Sequence, residues 1–368
     1  MSATSPLNIG EPAPWFSVPS GSDGRGAVML DELAGRTIVL FFFGSAGRPE
    51  VAEALGSIRD RHDLFDGERC LYIGISNDPQ DFSQERLGQS REVLTLLDSA
   101  GVATRQYVSV SSGSGQGAAP IRPVAFVLSP ALQIVEIIEL TEPAKFVERI
   151  VSVLGSCPGT SAGAENAPVL VVPRIFDGSF CEQLIEGYER SGGREIGSIE
   201  QGGNAVEKFD PKFRQRFDWY ISEEQTVAKA RVSLERRLLP MVYRAFQFRT
   251  TRIERYLVGC YDAEKGGHFR AHRDNTAPVV AHRRFAVTIN LNGGYDGGNL
   301  RFPEFGHQSF RVAPGDAIVF SCSLLHEVTP VTRGRRYAFL SFFYDEPSQQ
   351  LRDEYRRKWM EMQKAAGS

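Results

Sequence analysis

Runs of apolar residues and the polar stretches between them divide the chain into two differently patterned halves. In the first half, continuous apolar runs at 37–43 and 70–76 predict strands that are buried on both faces. The apolar residues between these two runs follow helical spacing and are Val51, Leu55, Ile58 and Leu64. Further runs at 123–129 and 133–140 predict a hairpin, and the order strand, helix, strand, helix, strand, strand, helix indicates a three-layer α/β domain.

The second half opens with predicted helices near 177–192 and 223–246 and then changes to short strands of mixed polarity between Gly-rich turns. The predicted strands cover 252–261, 267–274, 284–292, 299–305, 308–321 and 335–345. This pattern predicts a sandwich or barrel. The final stretch, 349–368, predicts a polar helix packed through Leu351, Tyr355 and Trp359.

A chain of 368 residues is longer than one hydrophobic core usually supports, which predicts two domains. The Gly- and Pro-rich segment 157–168 has the composition of a linker, and the similar stretch at 109–120 is interpreted as a mobile loop. The predicted organisation is an N-terminal domain at 1–156, the linker, a C-terminal domain at 169–346 and a terminal helix at 347–368.

Composition narrows the functional classes. The formal net charge of -3 gives no electrostatic reason to expect nucleic acid as a partner. No apolar run approaches the roughly 18 residues of a membrane span, and no basic, apolar leader opens the chain. The five cysteines are odd in number and widely spaced, which favours reduced thiols and a cytoplasmic protein.

Three residues of the second half form a candidate metal site. His272 and Asp274 stand two positions apart, so an extended backbone aims both side chains the same way. A ferrous ion that must also bind a co-substrate and oxygen commonly has two His and one carboxylate as ligands, and His326 is the candidate for the third position. Only six His occur in the chain, so abundance does not explain the arrangement.

An arginine follows the distal histidine on a predicted strand. Arg336 lies ten residues past His326, and its planar guanidinium suits the far end of a dicarboxylate. Arg335 competes for this role, and because adjacent strand residues face opposite ways, only one of the two can serve. The position and the surrounding sequence Arg-Tyr-Ala favour Arg336.

With these motifs, residues 170–345 resemble the iron(II)/2-oxoglutarate-dependent dioxygenases, particularly their prolyl 4-hydroxylase-like branch. The resemblance implies a double-stranded β-helix, or jelly roll, with flanking helices. It also implies His272, Asp274 and His326 on Fe(II) and Arg336 on the 5-carboxylate of 2-oxoglutarate. Further co-substrate contacts are expected from Tyr256 or Tyr261, between which the alignment does not decide, and from the polar strand positions Thr288 and Asn290.

The resemblance also implies a reaction. Fe(II), 2-oxoglutarate as co-substrate and O2 are expected, with ascorbate as an optional addition, and the products include succinate and CO2. The retained carboxylate of Asp274 favours hydroxylation or desaturation over halogenation. The expected substrate is a peptide or protein side chain, prolyl included, or an amino-acid-like small molecule.

Residues 8–154 resemble the peroxiredoxin-like branch of the thioredoxin superfamily, on the segments 10–18, 38–51 and 121–136, where Pro123 matches the fold's cis-proline. The family's peroxide-reducing Cys is missing from 44–54, and Cys70 is interpreted as a small buried apolar residue. The N-terminal domain is therefore predicted to be non-catalytic, serving in homodimerisation or in docking a partner or substrate. The competing hypotheses are a non-catalytic metal-binding or sensing scaffold and a thiol peroxidase.

Overall fold

The computed structural model describes residues 6–19, 27–84, 86–87, 93–108, 121–156, 166–195, 198–199, 207–208 and 210–366. The chain divides into two compact units. They are Met1–Glu165 with Pro303–His307, and Asn166–Phe302 with Gln308–Ser368. The division falls inside the predicted linker 157–168, of which residues 157–165 lie outside the described part, as does the predicted loop at 109–120.

The N-terminal unit is built on a five-stranded sheet. The strands of this unit are β1 (Ser17–Pro19), β2 (Ala27–Met29), β3 (Thr37–Gly44), β4 (Cys70–Ser76), β5 (Val93–Leu97), β6 (Val124–Leu128) and β7 (Ile134–Glu139). The helices are α1 (Pro49–Asp60), α2 (Gln80–Ser83), α3 (Thr104–Tyr107) and α4 (Pro143–Ser156). Short 3-10 turns cover Leu30–Leu33, His62–Leu64 and Pro303–Phe305. The sheet has the order β5-β4-β3-β6-β7, in which β3, β4 and β5 are parallel and β6 and β7 antiparallel, while β1 pairs with β2.

The central strand of this sheet, β3, contains the apolar run that predicted it. Every residue of β3 from Ile38 to Phe43 is fully buried, as expected for a strand covered on both faces. Helix α1 starts at Pro49, where the missing N–H is tolerated, and buries its apolar stripe in the same core as α4. The predicted thioredoxin-like α/β fold is confirmed.

The cis-proline that the resemblance implied at Pro123 is wrong. The peptide bonds of the described residues include no cis form, so the bond before Pro123 is trans. The carbonyl of Pro123 accepts a hydrogen bond from Leu140 N–H at 2.9 Å, and the chain enters β6 already extended.

The described residues of the C-terminal unit form two large antiparallel sheets and two short two-stranded ones. Its strands are β8 (Leu170–Val172), β9 (Arg194–Glu195), β10 (Ser198–Ile199), β11 (Glu207–Lys208), β12 (Arg214–Gln215), β13 (Phe217–Tyr220), β14 (Arg252–Asp262), β15 (His268–His272), β16 (Phe285–Asn290), β17 (Asp296–Gly297), β18 (Leu300–Arg301), β19 (Ser309–Phe310), β20 (Ala317–Ser321), β21 (His326–Val328), β22 (Val331–Arg333) and β23 (Arg335–Tyr344). The seven-stranded sheet has the order β8-β20-β16-β23-β14-β13-β9, the five-stranded sheet has the order β12-β15-β21-β18-β19, and the two short sheets are β10-β11 and β17-β22. The predicted double-stranded β-helix is confirmed.

Helices cover the outer face of the larger sheet. They are α5 (Gly178–Ser191), α6 (Glu224–Ser233), a π-helical turn (Leu234–Leu238) and α7 (Leu239–Phe246). The terminal α8 (Glu346–Ala366) lies beside the 3-10 turn at Pro278–Val280, and a second 3-10 turn covers Ala263–Lys265. The π-helical turn interrupts the predicted long helix just before Pro240, which has no N–H for a regular helical bond. Val287 and Ile289 of β16, and Leu291 just after it, join the helix-side core.

Two predicted elements differ from the structure. The strand predicted over 308–321 splits into β19 and β20 because Gly315 takes a left-handed φ of +86°, and a Cβ there would lie 2.2 Å from the Phe176 carbonyl oxygen. The predicted packing of the terminal helix is wrong for two of its three residues: Leu351 is 46% exposed and Trp359 is 40% exposed. Within the described residues, no helix has the length and apolar character that a membrane span requires.

Candidate metal centre

The smaller sheet brings the two predicted histidine ligands side by side. His272 ends β15 and His326 begins β21, and the two residues are direct partners in the antiparallel register. Asp274 lies in the turn after β15, where its backbone N–H donates to the Cys322 carbonyl at 2.9 Å. Its carboxylate oxygens lie 3.6 Å from His272 Nε2 and 3.3 Å from His326 Nε2. One ligand atom from each of the three residues fits within 4.8 Å of the others, a separation suited to a single metal ion.

Backbone carbonyls fix the orientation of both imidazoles. His272 Nδ1 donates to the Arg270 carbonyl at 2.7 Å, and His326 Nδ1 donates to the Leu324 carbonyl at 3.0 Å. These bonds assign the proton to Nδ1 and leave the Nε2 lone pair facing Asp274, the arrangement that metal-bound histidines adopt.

Electrostatics keep Asp274 and His326 in their ligand forms. Burial alone would raise the pKa of Asp274, but the neighbouring His326 and His272 outweigh it and hold that pKa below the ordinary range. Burial, reinforced by His272, lowers the pKa of His326 to about 4, although Asp274 opposes this shift. At neutral pH the site therefore offers a carboxylate and a neutral imidazole, and a divalent cation fits this donor set.

A cavity between the two sheets contains the predicted co-substrate arginine. Its lining residues are Thr288, Asn290, Tyr295, Gly298, Phe310, Arg311, Val312, Ile318 and Arg336. Two guanidinium groups and no carboxylate belong to this set, so the cavity suits an anion. Gly298 leaves room for the arginine, since a Cβ there would lie 3.1 Å from Arg336 Cδ.

Arg336 itself has unused bonding capacity. It is 6% exposed, and its Nη2 donates to Thr288 Oγ1 at 3.4 Å, whereas Nη1 is buried without a hydrogen-bond partner among the described residues. A buried, unsatisfied charged donor is costly, and a carboxylate in the cavity would satisfy it. Arg335 faces away from the cavity: it is half exposed and lies 2.9 Å from Asp262.

The structure separates the two tyrosine candidates. Tyr261 is buried, with its ring 5.3 Å from the Arg336 guanidinium carbon, and its hydroxyl accepts a bond from Arg216 at 3.3 Å. Tyr256 packs against the helix-side core, where its hydroxyl accepts a bond from Arg231. Tyr261 therefore lies beside Arg336, and Tyr256 does not.

The inward face of β16 supplies the remaining predicted residues. Thr288 and Asn290 both line the cavity. Asn290 Oδ1 accepts from the Tyr295 hydroxyl at 3.0 Å, and its amide nitrogen donates to the Val312 carbonyl at 3.0 Å. Asn290 is thus already engaged with protein groups, and Thr288 is the closer of the two predicted residues to the arginine.

Sequence reasoning missed the residues that support the metal ligands. Phe269 stacks on the His272 imidazole with centroids 3.6 Å apart and ring planes 19° apart. Strand alternation places residues 269 and 272 on opposite faces, but the register shifts between them and brings both rings together. Arg283 also supports the site, donating from Nη1 to the Asp274 carbonyl at 3.5 Å.

Comparison with known proteins gives this geometry a family. Residues 256–344 match the 2OG-Fe(II) oxygenase superfamily, a range that contains all three candidate ligands and Arg336. Residues 256–344 form a 2OG-Fe(II) oxygenase domain. The match confirms the predicted class of enzyme, a 2-oxoglutarate-dependent dioxygenase of the hydroxylase type, and with it Fe(II), 2-oxoglutarate and O2. The N-terminal residues 9–137 match the AhpC/TSA family.

Curated proteins that match the oxygenase domain are named as PKHD-type hydroxylases. A PKHD-type hydroxylase of Pseudomonas putida strain F1 is 26% identical over 202 residues, which are 51% of this chain and 82% of the relative. A PKHD-type hydroxylase of Delftia acidovorans is 40% identical over 103 residues, which are 26% of this chain and 44% of the relative. The oxygenase domain is thus shared, whereas the match to the Delftia protein spans less than half of that protein.

Solved structures resemble each unit separately. A prolyl-4-hydroxylase from Pseudomonas putida aligns with a TM-score of 0.39 and 17% identity, over 51% of this chain and 99% of that protein. The peroxidoxin BcpB from Mycobacterium tuberculosis aligns with a TM-score of 0.36 and 21% identity, over 41% of this chain and 99% of that protein.

Proposed function

We propose that the oxygenase domain holds Fe(II) through His272, Asp274 and His326 and hydroxylates the side chain of a peptide or protein, prolyl side chains included. The observation that carries the proposal is the convergence of these three groups within 4.8 Å in the unit that also buries Arg336 with a free donor. A non-catalytic metal-binding scaffold has no need of such an arginine in a cavity without acidic residues.

In this proposal Arg336 binds the 5-carboxylate of 2-oxoglutarate. Its unsatisfied Nη1 provides the missing bond, and Thr288 Oγ1 at 3.4 Å from Nη2 completes the polar surroundings. Tyr261 is the second contact, because its hydroxyl accepts from Arg216 and therefore keeps its own proton to donate to a carboxylate.

The protein contributes geometry and a dry cavity to the reaction. Fe(II), when bound, supplies the oxidative decarboxylation of 2-oxoglutarate to succinate and CO2 and the transfer of an oxygen atom to the substrate. His272 and His326 keep their Nε2 atoms directed at the centre through the Nδ1 bonds to backbone carbonyls. Three protein ligands leave coordination positions open for the co-substrate and O2.

The peptide substrate is proposed from the PKHD-type hydroxylase names of the relatives. An amino-acid-like small molecule is the alternative substrate. We further propose that the N-terminal unit is a non-catalytic module that mediates homodimerisation or docks a partner, since no cysteine stands at the start of α1.

Succinate release tests the proposal. The full chain is incubated with Fe(II), 2-oxoglutarate, ascorbate and O2, with and without a library of proline-containing peptides, and succinate and peptide masses are measured. We expect Asp274→Ala to abolish succinate release, whereas Asp296→Ala, which removes an exposed carboxylate paired with Arg333, retains it. A peptide that gains one oxygen atom identifies hydroxylation, and one that loses two hydrogen atoms identifies desaturation. Metal binding without any succinate would instead support the scaffold.

A further inference from the structure

Arg255 stands on an unusual piece of backbone in β14. The register of β14 against β23 shifts between Glu254 and Leu257, and Arg255 takes a left-handed φ of +68°. The buried Ser341 hydroxyl holds this bulge, lying 3.1 and 2.9 Å from the carbonyl oxygens of residues 254 and 255. Bulges redirect a side chain, and a left-handed φ is costly for a residue with a Cβ, so the fold maintains Arg255 in this place at an energetic cost.

The acidic groups around Arg255 are already committed to other cations. Glu254 accepts from Arg283 Nη2 at 2.6 Å and lies 2.6 Å from His282 Nε2, whereas Arg255 Nε is 3.3 Å away. The other nearby carboxylate, Asp218, is bound by Arg216 at 2.6 and 2.8 Å and by a second guanidinium at 2.6 Å. Arg255 therefore shares one carboxylate with a stronger competitor, and its charge is only partly neutralised by the described residues.

The position of Arg255 relates it to the substrate. Its guanidinium carbon lies 5.3 Å from the ring of Phe342, and the guanidinium of Arg283 lies 4.0 Å from the same ring. Arg283 also contacts the backbone carbonyl of Asp274, so Phe342 and Arg283 link Arg255 to the residue that carries the candidate metal ligand. The Arg255 side chain is 25% exposed, and Tyr220, which pairs with Leu257 two residues farther along β14, is 44% exposed. Arg255 is thus a partly exposed cation beside the side chains that adjoin Asp274.

The proposed cofactors do not compensate the charge of Arg255. Fe(II) and Arg336 carry positive charge that Asp274 and the two carboxylates of 2-oxoglutarate balance. Burial is the main cause that lowers the pKa of Arg255, and the charge of Arg283 lowers it further. A further anion is therefore the group that would complete the site.

We propose that Arg255 is a specificity-determining residue that binds a carboxylate of the substrate, in a subsite that it forms with Phe342 and Tyr220. This inference rests on the proposed hydroxylase function. The carboxylate belongs either to an acidic side chain next to the hydroxylated residue or to the free C-terminus of a short substrate. Both sources present the same planar acceptor to the guanidinium.

Three short probes separate these sources. Two are N-acetylated, C-terminally amidated tripeptides in which proline precedes aspartate or asparagine, and the third ends in alanine with a free carboxylate after proline. Each is titrated calorimetrically under argon into the full chain loaded with Mn(II) and 2-oxoglutarate, where no turnover occurs. Loading is measured first, so a failure of the metal or 2-oxoglutarate to bind identifies a failure of the proposed function and not of this subsite.

We expect at least one carboxylate probe to bind about tenfold or more tighter than the asparagine probe, as for a hydrogen bond to a charged group. Arg255→Gln removes this preference and leaves 2-oxoglutarate affinity unchanged. Arg231→Gln, which changes an exposed guanidinium beside Tyr256, is the matched control and keeps the preference. If Arg255→Gln does not fold, Arg255→Lys supplies the comparison, with the preference reduced because an ammonium cannot bind a carboxylate through two fixed donors. Equal binding of the asparagine probe, an unchanged preference in the Arg255 variants, or no saturable binding of any carboxylate probe overturns the proposal.

Discussion

Replacing Arg336 with methionine tests the co-substrate site through two effects of opposite sign. Removing one partner of a buried, hydrogen-bonded charge pair costs about 2–5 kcal/mol, which corresponds to about 30-fold to about 4,000-fold in affinity for 2-oxoglutarate. The protein without 2-oxoglutarate should not lose stability, because there Arg336 is a buried cation with an unsatisfied Nη1. Relief of an unsatisfied buried donor is worth about 1–3 kcal/mol, so we expect the melting temperature of Arg336→Met to be equal to or higher than that of the unmodified chain.

Calorimetric titration of 2-oxoglutarate into the Mn(II)-loaded protein measures the first effect, and differential scanning calorimetry without ligand measures the second. Arg335→Met is the matched control, because this neighbouring arginine points away from the cavity toward Asp262. We expect it to retain 2-oxoglutarate affinity within about twofold, since a surface ion pair contributes at most about 1 kcal/mol. The reasoning fails if Arg336→Met binds 2-oxoglutarate normally, or if Arg335→Met carries the loss.

Three further changes probe the surroundings of the site. Phe269→Leu removes the ring stacked on His272 and should weaken Mn(II) binding by about 10-fold to 100-fold, as loss of an outer-shell partner does, and unchanged affinity in a metal titration would contradict this. Tyr261→Phe should weaken 2-oxoglutarate binding by about fivefold to tenfold, the value of one hydrogen bond, and Tyr256→Phe should leave it unaltered; the reverse ranking in calorimetry would exchange their roles. Burial raises the pKa of Glu254, but the hydrogen bond from His282 and the charge of Arg283 outweigh burial and leave the pKa of Glu254 depressed. The ionised Glu254 therefore stabilises the fold above pH 4.5, and this stabilisation is lost as the pH falls below 4.5. We therefore expect the melting temperature of Glu254→Gln to fall less steeply between pH 7 and pH 3 than that of the unmodified chain. Equal slopes for the two proteins would contradict a depressed pKa of Glu254.

The sequence was most informative where short spacing fixes geometry. His272 and Asp274 are two residues apart, and His326 was found because few histidines compete for the third position. The sheet then makes His272 and His326 direct partners, which no local pattern encodes. The geometry of the site is therefore only partly fixed by residues that are close together in the sequence.

Register shifts explain what the sequence did not decide. Tyr256 and Tyr261 are five residues apart on a strand whose register shifts between Glu254 and Leu257, and counting faces along β14 fails across such a shift. A second shift between Phe269 and His272 conceals their stacking. The terminal helix failed for another reason: its apolar residues have helical spacing, but spacing does not reveal whether another element covers them, and Leu351 and Trp359 stay exposed.

The turn before α1 contacts a buried carboxylate of the N-terminal unit. In the resembling family the peroxide-reducing thiol stands at the start of this helix. Here the Ala46 N–H donates to Asp81 at 2.8 Å, and the same fully buried carboxylate accepts from the Ser76 hydroxyl at 2.7 Å. The Ala46 N–H at this turn is thus bonded to the chain's own Asp81, and no cysteine stands at the helix start. A cavity lined by arginines without acids, and a cluster of metal ligands, occur instead in the C-terminal unit, so the oxidative chemistry belongs there.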